Sequence, residues 1–269
     1  MSFWQRLLEI LDTPMPVPEP YGLFHLLFVV LSFVAVIPLC RYLKKEQQIR
    51  HVVLFTALVV IVLEIYKQIN FSFTYENGIR FDYAWFAFPF QFCSTPMYAG
   101  LLAGLTKKGK VHESLCAYLA TYSVFAGVSV MAYPVSVFID TVGINLQTMI
   151  CHGSMITIGI YLLSTGYVPL KAKTILKALP VFLCNVALAG IMNRVAYLTG
   201  ISKTDDFNMF YISPFEAPHL PVYSQIQKLV AYPWCLVIYI LGFTLAAFLI
   251  LAIGMAVVKL KPHKKVSVS

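Results

Sequence analysis

Blocks of about 20 consecutive apolar residues recur along this chain, and each is long enough to cross roughly 30 Å of hydrocarbon as an α-helix. Hydrophobic residues make up 59% of the 269 residues. Only 12% are charged, against about 25% in an ordinary soluble domain. The mean hydropathy is +0.76. The sequence therefore predicts an all-α, polytopic membrane protein, and its first fourteen residues lack the pattern of a cleavable signal peptide.

Seven apolar segments have the length of transmembrane helices, with predicted bounds at 21–42, 51–71, 84–106, 114–133, 144–165, 173–199 and 229–259. Basic residues concentrate in the first, third and fifth connections and in the C-terminal tail. They are Arg41, Lys44, Lys45, Arg50, Lys107, Lys108, Lys110, Lys171, Lys173, Lys259, Lys261, Lys264 and Lys265. Because Lys and Arg favour cytoplasmic loops, we expect a seven-transmembrane-helix bundle in the cell membrane. Its N-terminus would lie outside and its C-terminus in the cytoplasm.

Three segments on the predicted exterior carry signals for local structure. Residues 2–12 place apolar side chains at helical spacing, which indicates an amphipathic helix lying at the membrane interface. Residues 71–83 alternate around Asn77-Gly78, which predicts a short β-hairpin. Residues 200–228 form a long connection that contains Pro214, Pro218 and Pro221, and we expect it to cap the outer face. The chain has no internal repeat, so residues 1–269 read as one membrane domain.

Charge and cysteine content exclude several classes of function. The net charge of +8 comes from basic residues at the membrane exits, so no nucleic-acid partner is expected. The six cysteines include no CxxC pair, which argues against a disulfide framework and against a zinc site. We therefore expect no metal and no cofactor. Most of the cysteines are expected to be small packing residues of the helices, namely Cys40, Cys116, Cys184 and Cys235.

Polar side chains inside the predicted spans cluster at one depth. Ionisable groups in a membrane are costly and point to function. With the predicted orientation, the polar set lies in the outer third of the bilayer, whereas the inner halves are nearly all apolar. The set comprises His25, Glu64, Lys67, Gln68, Gln91, Cys93, His152, Asn193 and Arg194. This shared depth predicts a polar cavity that opens outward or sideways into the outer leaflet.

Structural roles for the charged members remain open from the sequence. Glu64 and Lys67 are spaced i,i+3 and can neutralise each other on one helix face, with Lys67 snorkelling towards the interface. Arg194 can anchor to head groups, and His25 can form a hydrogen bond between helices. Each of these alternatives competes with a role in binding a ligand.

Cys93 and His152 form the sharpest hypothesis. Their predicted helices run in the same direction, and each residue lies about eight positions from the outer end, or about 12 Å deep. If the helices are neighbours, we expect sulfur and nitrogen about 3–5 Å apart. A thiol beside an imidazole base can accept an acyl group from an ester. Pro96 should kink the helix near Cys93. Cys151 adjoins His152 in sequence but points about 100° away from it.

The segment Phe88-Pro-Phe-Gln-Phe-Cys93 resembles the Leu-Pro-Leu-His-Leu-Cys motif of the YwaF-type integral membrane proteins. The resemblance covers nearly the whole chain, in matching order and spacing. The other residues on which the resemblance rests are His25, Glu64-Ile-Tyr-Lys-Gln68, His152-Gly153, Asn193-Arg194 and Tyr232-Pro-Trp234.

The resemblance implies a chemistry as well as a fold. The animal branch of the family contains a membrane acyltransferase that moves fatty acyl chains between ether and diacyl phospholipids through a catalytic cysteine. By resemblance, Cys93 matches that cysteine and His152 matches the histidine paired with it. Gln91 departs from the family motif, in which many relatives carry histidine, so a second base near Cys93 is not retained.

Residues and resemblance together predict a lipid acyltransferase or acyl hydrolase that works through a thioester on Cys93, with His152 as the base. A phospholipid or lysophospholipid is the expected partner within the bilayer and would enter from the outer leaflet. Expected contacts with the head group or the oxyanion are His25, Glu64, Lys67, Gln68, Gln91, Asn193 and Arg194. The rival hypothesis is a transporter or small-molecule receptor that uses the same outward-facing polar cavity. A third hypothesis is a structural membrane subunit, but such a subunit would not need charged residues inside the membrane.

Overall fold

A computed structural model describes residues 2–134, 137–204, 206–216 and 220–260, and these are mostly helical. Pro218 and the tail residues Lys261, Lys264 and Lys265 lie outside these ranges. The helices are α1 (Phe3–Leu11), α2 (Leu23–Val34), α3 (Val36–Tyr42), α4 (Glu46–Ser72), α5 (Thr95–Leu105), α6 (Lys110–Leu119), α7 (Tyr122–Ala132), α8 (Val142–Ser164), α9 (Thr174–Thr199), α10 (Ile201–Thr204), α11 (Pro221–Leu229) and α12 (Tyr232–Leu260). The strands are β1 (Phe73–Thr74) and β2 (Arg80–Phe81).

Six helical stretches of the described chain are long and apolar enough to cross a membrane. They are α2 with α3, α4, α6 with α7, α8, α9 and α12. Two of them are interrupted. Pro38 lies four residues after Val34, whose carbonyl its ring displaces, and α2 gives way to α3 at Ala35. The helix from Lys110 to Ala132 breaks between Leu119 and Tyr122.

The third predicted span, 84–106, is not one continuous helix, so the count of seven transmembrane helices is not confirmed. A 3₁₀ turn at Trp85–Ala87 and irregular backbone lead to α5, which has 11 residues. Phe88, the residue before Pro89, is extended, as the proline ring requires. Pro96 lies in the first turn of α5, where its missing N–H is harmless, so the helix begins there instead of kinking. At 1.5 Å per residue, α5 spans about half of the hydrocarbon layer.

The predicted hairpin is present as a two-stranded antiparallel sheet. Phe73 pairs with Phe81 and Thr74 with Arg80. The turn passes through Gly78, whose φ of +97° lies in the region that only glycine adopts freely. Helix α1 begins with a capping box formed by Ser2 and Gln5.

Helix α1 is tied to the rest of the bundle by Asp12, the residue that follows it. The carboxylate of Asp12 accepts hydrogen bonds from Asn70 Nδ2 at 3.1 Å, Tyr75 Oη at 3.2 Å and Thr141 Oγ1 at 3.2 Å. Burial and the neighbouring Asp12 raise the pKa of Tyr75, so its hydroxyl remains a donor. These bonds fasten the N-terminal segment to the hairpin and to the start of α8.

Helix α8 lies at the centre of the bundle, packed against α2, α4 and α7. Close approach to α7 depends on two glycines. A Cβ on Gly127 would lie 2.6 Å from the carbonyl oxygen of His152, and a Cβ on Gly159 would overlap Val124. Small residues of this kind let helix backbones come together in a membrane. The contact fixes the height of His152 relative to α7.

Part of the long connection after α9, residues 207–213, is packed into the helix bundle. Phe207, Met209, Phe210 and Ile212 are buried among the core residues. Phe210 and Tyr211 have φ values of 60° and 56°, which are unfavourable for residues with a Cβ. The surrounding contacts must therefore stabilise this segment, which we call the plug (residues 207–213).

Candidate functional site

A buried carboxylate, Glu64 on α4, is the centre of the polar cluster. Lys67 Nζ lies 2.7 Å from its Oε1, which also accepts a hydrogen bond from Gln68 Nε2 at 2.9 Å. Gln147 Nε2 on α8 donates to Oε2 at 3.3 Å. The ion pair that the i,i+3 spacing of Glu64 and Lys67 allows is therefore formed, and Glu64 is also joined to a second helix through Gln147. A charge held away from water needs such a set of partners.

Gln68 extends this cluster to the irregular segment that precedes α5. Its Nε2 donates to the carbonyl of Ala87 at 2.7 Å, and its Oε1 accepts from Tyr83 Oη at 2.8 Å. Both amide atoms of Gln68 thus hold the segment that lacks regular helix. The polar end of α4 positions the chain that leads to Cys93.

Cys93 lies two residues before Thr95, the first residue of α5. Its side chain is partly exposed and lines a small cavity of about 30 Å³, together with Cys151, Pro96 and Met97. A volume of about 10–15 Å³ accommodates one water molecule, so the cavity has room for one or two. The amino end of a helix carries partial positive charge, which favours a thiolate there.

Lys67 lies within electrostatic reach of Cys93, Cys151 and His152. Ionising a thiol away from water is costly, and a nearby cation lowers that cost. Both Cys93 and Cys151 line the cavity, but Cys93 is partly exposed at the amino end of α5, whereas Cys151 is buried within α8. Cys93 is therefore the better placed of the two thiols to act as a nucleophile.

His152 is buried in α8 with one ring nitrogen free. Nδ1 lies 2.7 Å from the carbonyl oxygen of Thr148, so Nδ1 carries the proton and Nε2 is an acceptor. Nε2 is buried and has no hydrogen-bond partner among the described residues. A neutral imidazole with its lone pair unused is the form required of a general base.

No hydrogen bond joins Cys93 to His152 in this structure, because Nε2 is unpartnered and Nδ1 is taken by Thr148. Cys151 on α8 contacts Cys93, because its Sγ lies 3.9 Å from the Cys93 carbonyl oxygen. The expected parallel pairing of two long helices does not arise, since Cys93 belongs to the non-helical lead into α5. The two side chains share the neighbourhood of Lys67.

Gln91 and Asn193 both hold the plug. Gln91 donates from Nε2 to the carbonyl of Asn208 at 3.0 Å and accepts at Oε1 from the N–H of Phe210 at 3.0 Å. Asn193 pairs in the same two-way manner with the backbone of Met209, at 3.0 and 2.7 Å. Both carboxamides are thus occupied, and each satisfies backbone groups of a buried loop.

His25 and Arg194 lie apart from the Glu64 cluster. His25 Nδ1 accepts from the N–H of Tyr21, and Nε2 lies 3.0 Å from the carbonyl oxygen of Met131, so backbone groups occupy both nitrogens. Arg194 is exposed and lies over the rings of Tyr197 and Phe215, at 5.6 and 5.3 Å. The polar residues expected to share one cavity are therefore divided among separate clusters.

A cysteine–histidine contact that the sequence did not suggest is formed by Cys116 and His112. Cys116 Sγ lies 3.5 Å from His112 Nε2, but the hydroxyl of Tyr167 lies closer to that nitrogen, at 2.6 Å. Burial raises the pKa of Tyr167 to about 12, so its hydroxyl stays protonated and donates a hydrogen bond to Nε2 of His112. Nδ1 faces the carbonyl oxygen of Ala103 at 2.9 Å. His112 is thus fully bonded, and the contact fastens α6 to α5.

Two apolar grooves complete the surroundings of the site. A groove of about 680 Å³ runs between α2–α3, α4 and α8, and another of about 490 Å³ lies between α5, α6 and α9. Gln147, a site residue that sequence reasoning missed, could have been found as a polar residue in the apolar α8 one turn before Cys151. In the described part of the chain, no group of three or more His, Cys, Asp or Glu could hold a metal ion.

Comparison with known proteins identifies the family. Neither a curated protein nor a solved structure shows significant similarity to the chain. The sequence model of the TMEM164 family, a family of membrane proteins, matches residues 20–255. The match does not confirm the YwaF-type name. The match and the six apolar helices agree on a multi-pass membrane protein. The chain therefore belongs to the TMEM164 family.

Proposed function

We propose that this protein is a membrane-embedded acyltransferase that acts on phospholipids through a thioester on Cys93. The observation that carries the proposal is the unpartnered Nε2 of His152, buried in the helix that contacts Cys93. A buried acceptor without a partner is costly, and a reacting proton would supply the missing partner. The family resemblance points to the same two residues.

The proposed reaction has two steps. His152 Nε2 takes the thiol proton, and the Cys93 sulfur attacks the carbonyl carbon of a phospholipid ester. The ester C–O bond breaks, and the lysolipid oxygen leaves with the proton from His152. In the second step a lysolipid hydroxyl attacks the thioester, its proton passes to His152, and the sulfur is released as a thiol. With water as the acceptor, the same steps give hydrolysis.

The other residues of the cluster have supporting roles in this proposal. Lys67 favours the thiolate and is the available cation for a lipid phosphate. Glu64 pairs with Lys67, and Gln68 and Gln147 hold the Glu64 carboxylate in place. Hydrogen bonds between catalytic residues often tighten only when substrate is bound, so the bond between Cys93 and His152 belongs to the lipid complex. Gln91 and Asn193 shape the site by holding the plug above it.

The test is acyl transfer by the purified protein in liposomes that contain a phospholipid with a labelled acyl chain and a lysophospholipid acceptor. We expect transfer by the unchanged protein, and losses of at least a hundredfold in Cys93→Ser and in His152→Ala. The double variant should be little worse than either single one, as expected for residues that act together. Cys151→Ser is the matched control, because this thiol shares the cavity.

Two results would contradict the proposal. Full transfer by Cys93→Ala would exclude the thioester. A saturable flux of a solute across the liposome membrane, lost on changing Glu64 or Lys67 and independent of Cys93, would favour the transporter hypothesis instead.

A further inference from the structure

Ser123, close to the start of α7, carries a buried hydroxyl group without a partner. The residue is 1% exposed, and its Oγ forms no hydrogen bond within the part of the chain that the structure describes. A hydroxyl group in a membrane helix commonly donates to the carbonyl four residues earlier, as that of Ser32 does at 2.7 Å and that of Ser129 at 2.8 Å. Ser123 departs from this behaviour.

The break between α6 and α7 explains why the Ser123 hydroxyl is left unpaired. The carbonyl four residues before Ser123 belongs to Leu119, the last residue of α6. Thr121 lies between the two helices, and its φ of −131° and ψ of −81° are not helical. The helical geometry that would bring the Leu119 carbonyl to the Ser123 hydroxyl is therefore lost. A buried hydroxyl that lacks a partner is costly, so this position suits a ligand that can form a hydrogen bond.

Ser123 lines the cavity of Cys93, together with Cys151 and Thr56. Ser154 lines it too, but its hydroxyl already donates to the carbonyl of Cys151 at 2.7 Å. The cavity volume of about 30 Å³ has room for one or two water molecules, at about 10–15 Å³ each. A buried water needs about two to four polar partners, and two free hydroxyls and two thiols border this space. The cavity therefore has the size and the chemistry of a water site.

We propose that this cavity holds the water that hydrolyses the thioester on Cys93, and that the hydroxyl of Ser123 holds this water by a hydrogen bond. The inference rests on the proposed function and gives one of its two acceptors a binding site. The water oxygen attacks the thioester carbonyl carbon, the C–S bond breaks, and a free fatty acid leaves. One proton of the water passes to His152 Nε2 and then to the sulfur, which is restored as a thiol.

Water and lysolipid then reach the acyl group on Cys93 from different sides. The cavity is bordered by α4, α5, α6, α7 and α8, and it is far too small for a lysolipid. Lys67, the cation available for a lipid phosphate, does not line it. A change at Ser123 should therefore act mainly on hydrolysis. Ser123 thus sets the ratio in which the protein releases fatty acid and transfers it to a second lipid.

The experiment measures both products of the full chain in liposomes that contain a phospholipid with a labelled acyl chain and a lysophospholipid acceptor. The water carries a heavy oxygen isotope, so hydrolysis is measured by that isotope in the released fatty acid. Transfer is measured by the labelled chain on the acceptor. Ser123→Ala removes the hydroxyl, and Ser123→Thr keeps it. Ser154→Ala is the matched control, because its hydroxyl borders the same cavity but is bonded to the backbone.

We expect Ser123→Ala to lower hydrolysis about tenfold relative to transfer, as for the loss of one hydrogen bond. Its Tm should not fall, because the hydroxyl has no protein partner to lose. Ser123→Thr and Ser154→Ala should keep the ratio of the unchanged protein.

Three results would overturn the inference. An unchanged ratio in Ser123→Ala, with an acyl group still formed on Cys93, would remove the water site and leave the thioester in place. So would a fall in Tm and in both products together, which indicates a structural role for Ser123. If the unchanged protein formed no acyl group on Cys93, the thioester would be excluded and the inference with it.

Discussion

The ion pair of Glu64 and Lys67 gives a quantitative prediction. Their side chains are 6% and 17% exposed, and their charged atoms lie 2.7 Å apart. Glu64→Gln keeps the shape but leaves the ammonium group of Lys67 unpaired. Removing one partner of a buried pair costs about 3–5 kcal/mol. The exposed part of Lys67 lets its ammonium group reach polar surroundings. We therefore expect Glu64→Gln to lower the free energy of unfolding by about 2–3 kcal/mol.

The assay is thermal unfolding of the purified protein in one detergent, compared across Glu64→Gln, Lys67→Met and the double variant. At about 2–4 °C per kcal/mol, Glu64→Gln should lower Tm by roughly 4–12 °C. The double variant removes both charges, so it should be more stable than the sum of the single changes predicts, with a coupling of about 1–3 kcal/mol. If the stability losses of the two single variants added up to that of the double variant, the claim that the two charges depend on each other would be refuted.

Three further predictions concern packing, the plug and topology. Gly159→Ala should destabilise the folded protein by about 1–3 kcal/mol, because the added Cβ overlaps Val124. Gly190→Ala should not lower Tm, because a Cβ there meets open space. Asn193→Ala leaves two buried backbone groups of the plug unpaired and should increase protease cleavage after α9, unlike Asn193→Asp, which keeps one acceptor. In whole cells, an impermeant thiol reagent should label Asn77→Cys and not Lys108→Cys, and the opposite pattern would contradict the proposed orientation.

Hydropathy correctly indicated a helical membrane protein because burying backbone polar groups in lipid leaves few alternatives to helices. Hydropathy failed at residues 84–94, where apolar side chains belong to a segment that forms no α-helix. Such backbone is tolerated in a bundle only where protein groups satisfy it, and here Gln68 bonds to the carbonyl of Ala87. A hydropathy average along the sequence measures apolarity, but it does not show which helix supplies a hydrogen bond to the backbone.

The sequence predicts candidate residues for the site, but it did not predict the contacts that those residues make. Depth along a helix follows from residue counting, which is why the sequence predicts the same depth for Cys93 and His152. The direction of a side chain depends on helix rotation, and a single step of about 100° decides whether His152 or Cys151 faces Cys93. The roles of Gln91 and Asn193 depended on the plug, whose burial no local pattern in the sequence indicated.

The most direct test of the thioester is mass spectrometry of the protein after incubation with phospholipids that carry an isotope-labelled acyl chain. We predict one labelled acyl group on Cys93, removed by neutral hydroxylamine, retained in Cys151→Ala and absent from Cys93→Ala. In His152→Ala the adduct should form far more slowly. An adduct on Cys151 in place of Cys93, or active transfer with no adduct on any cysteine, would contradict the account.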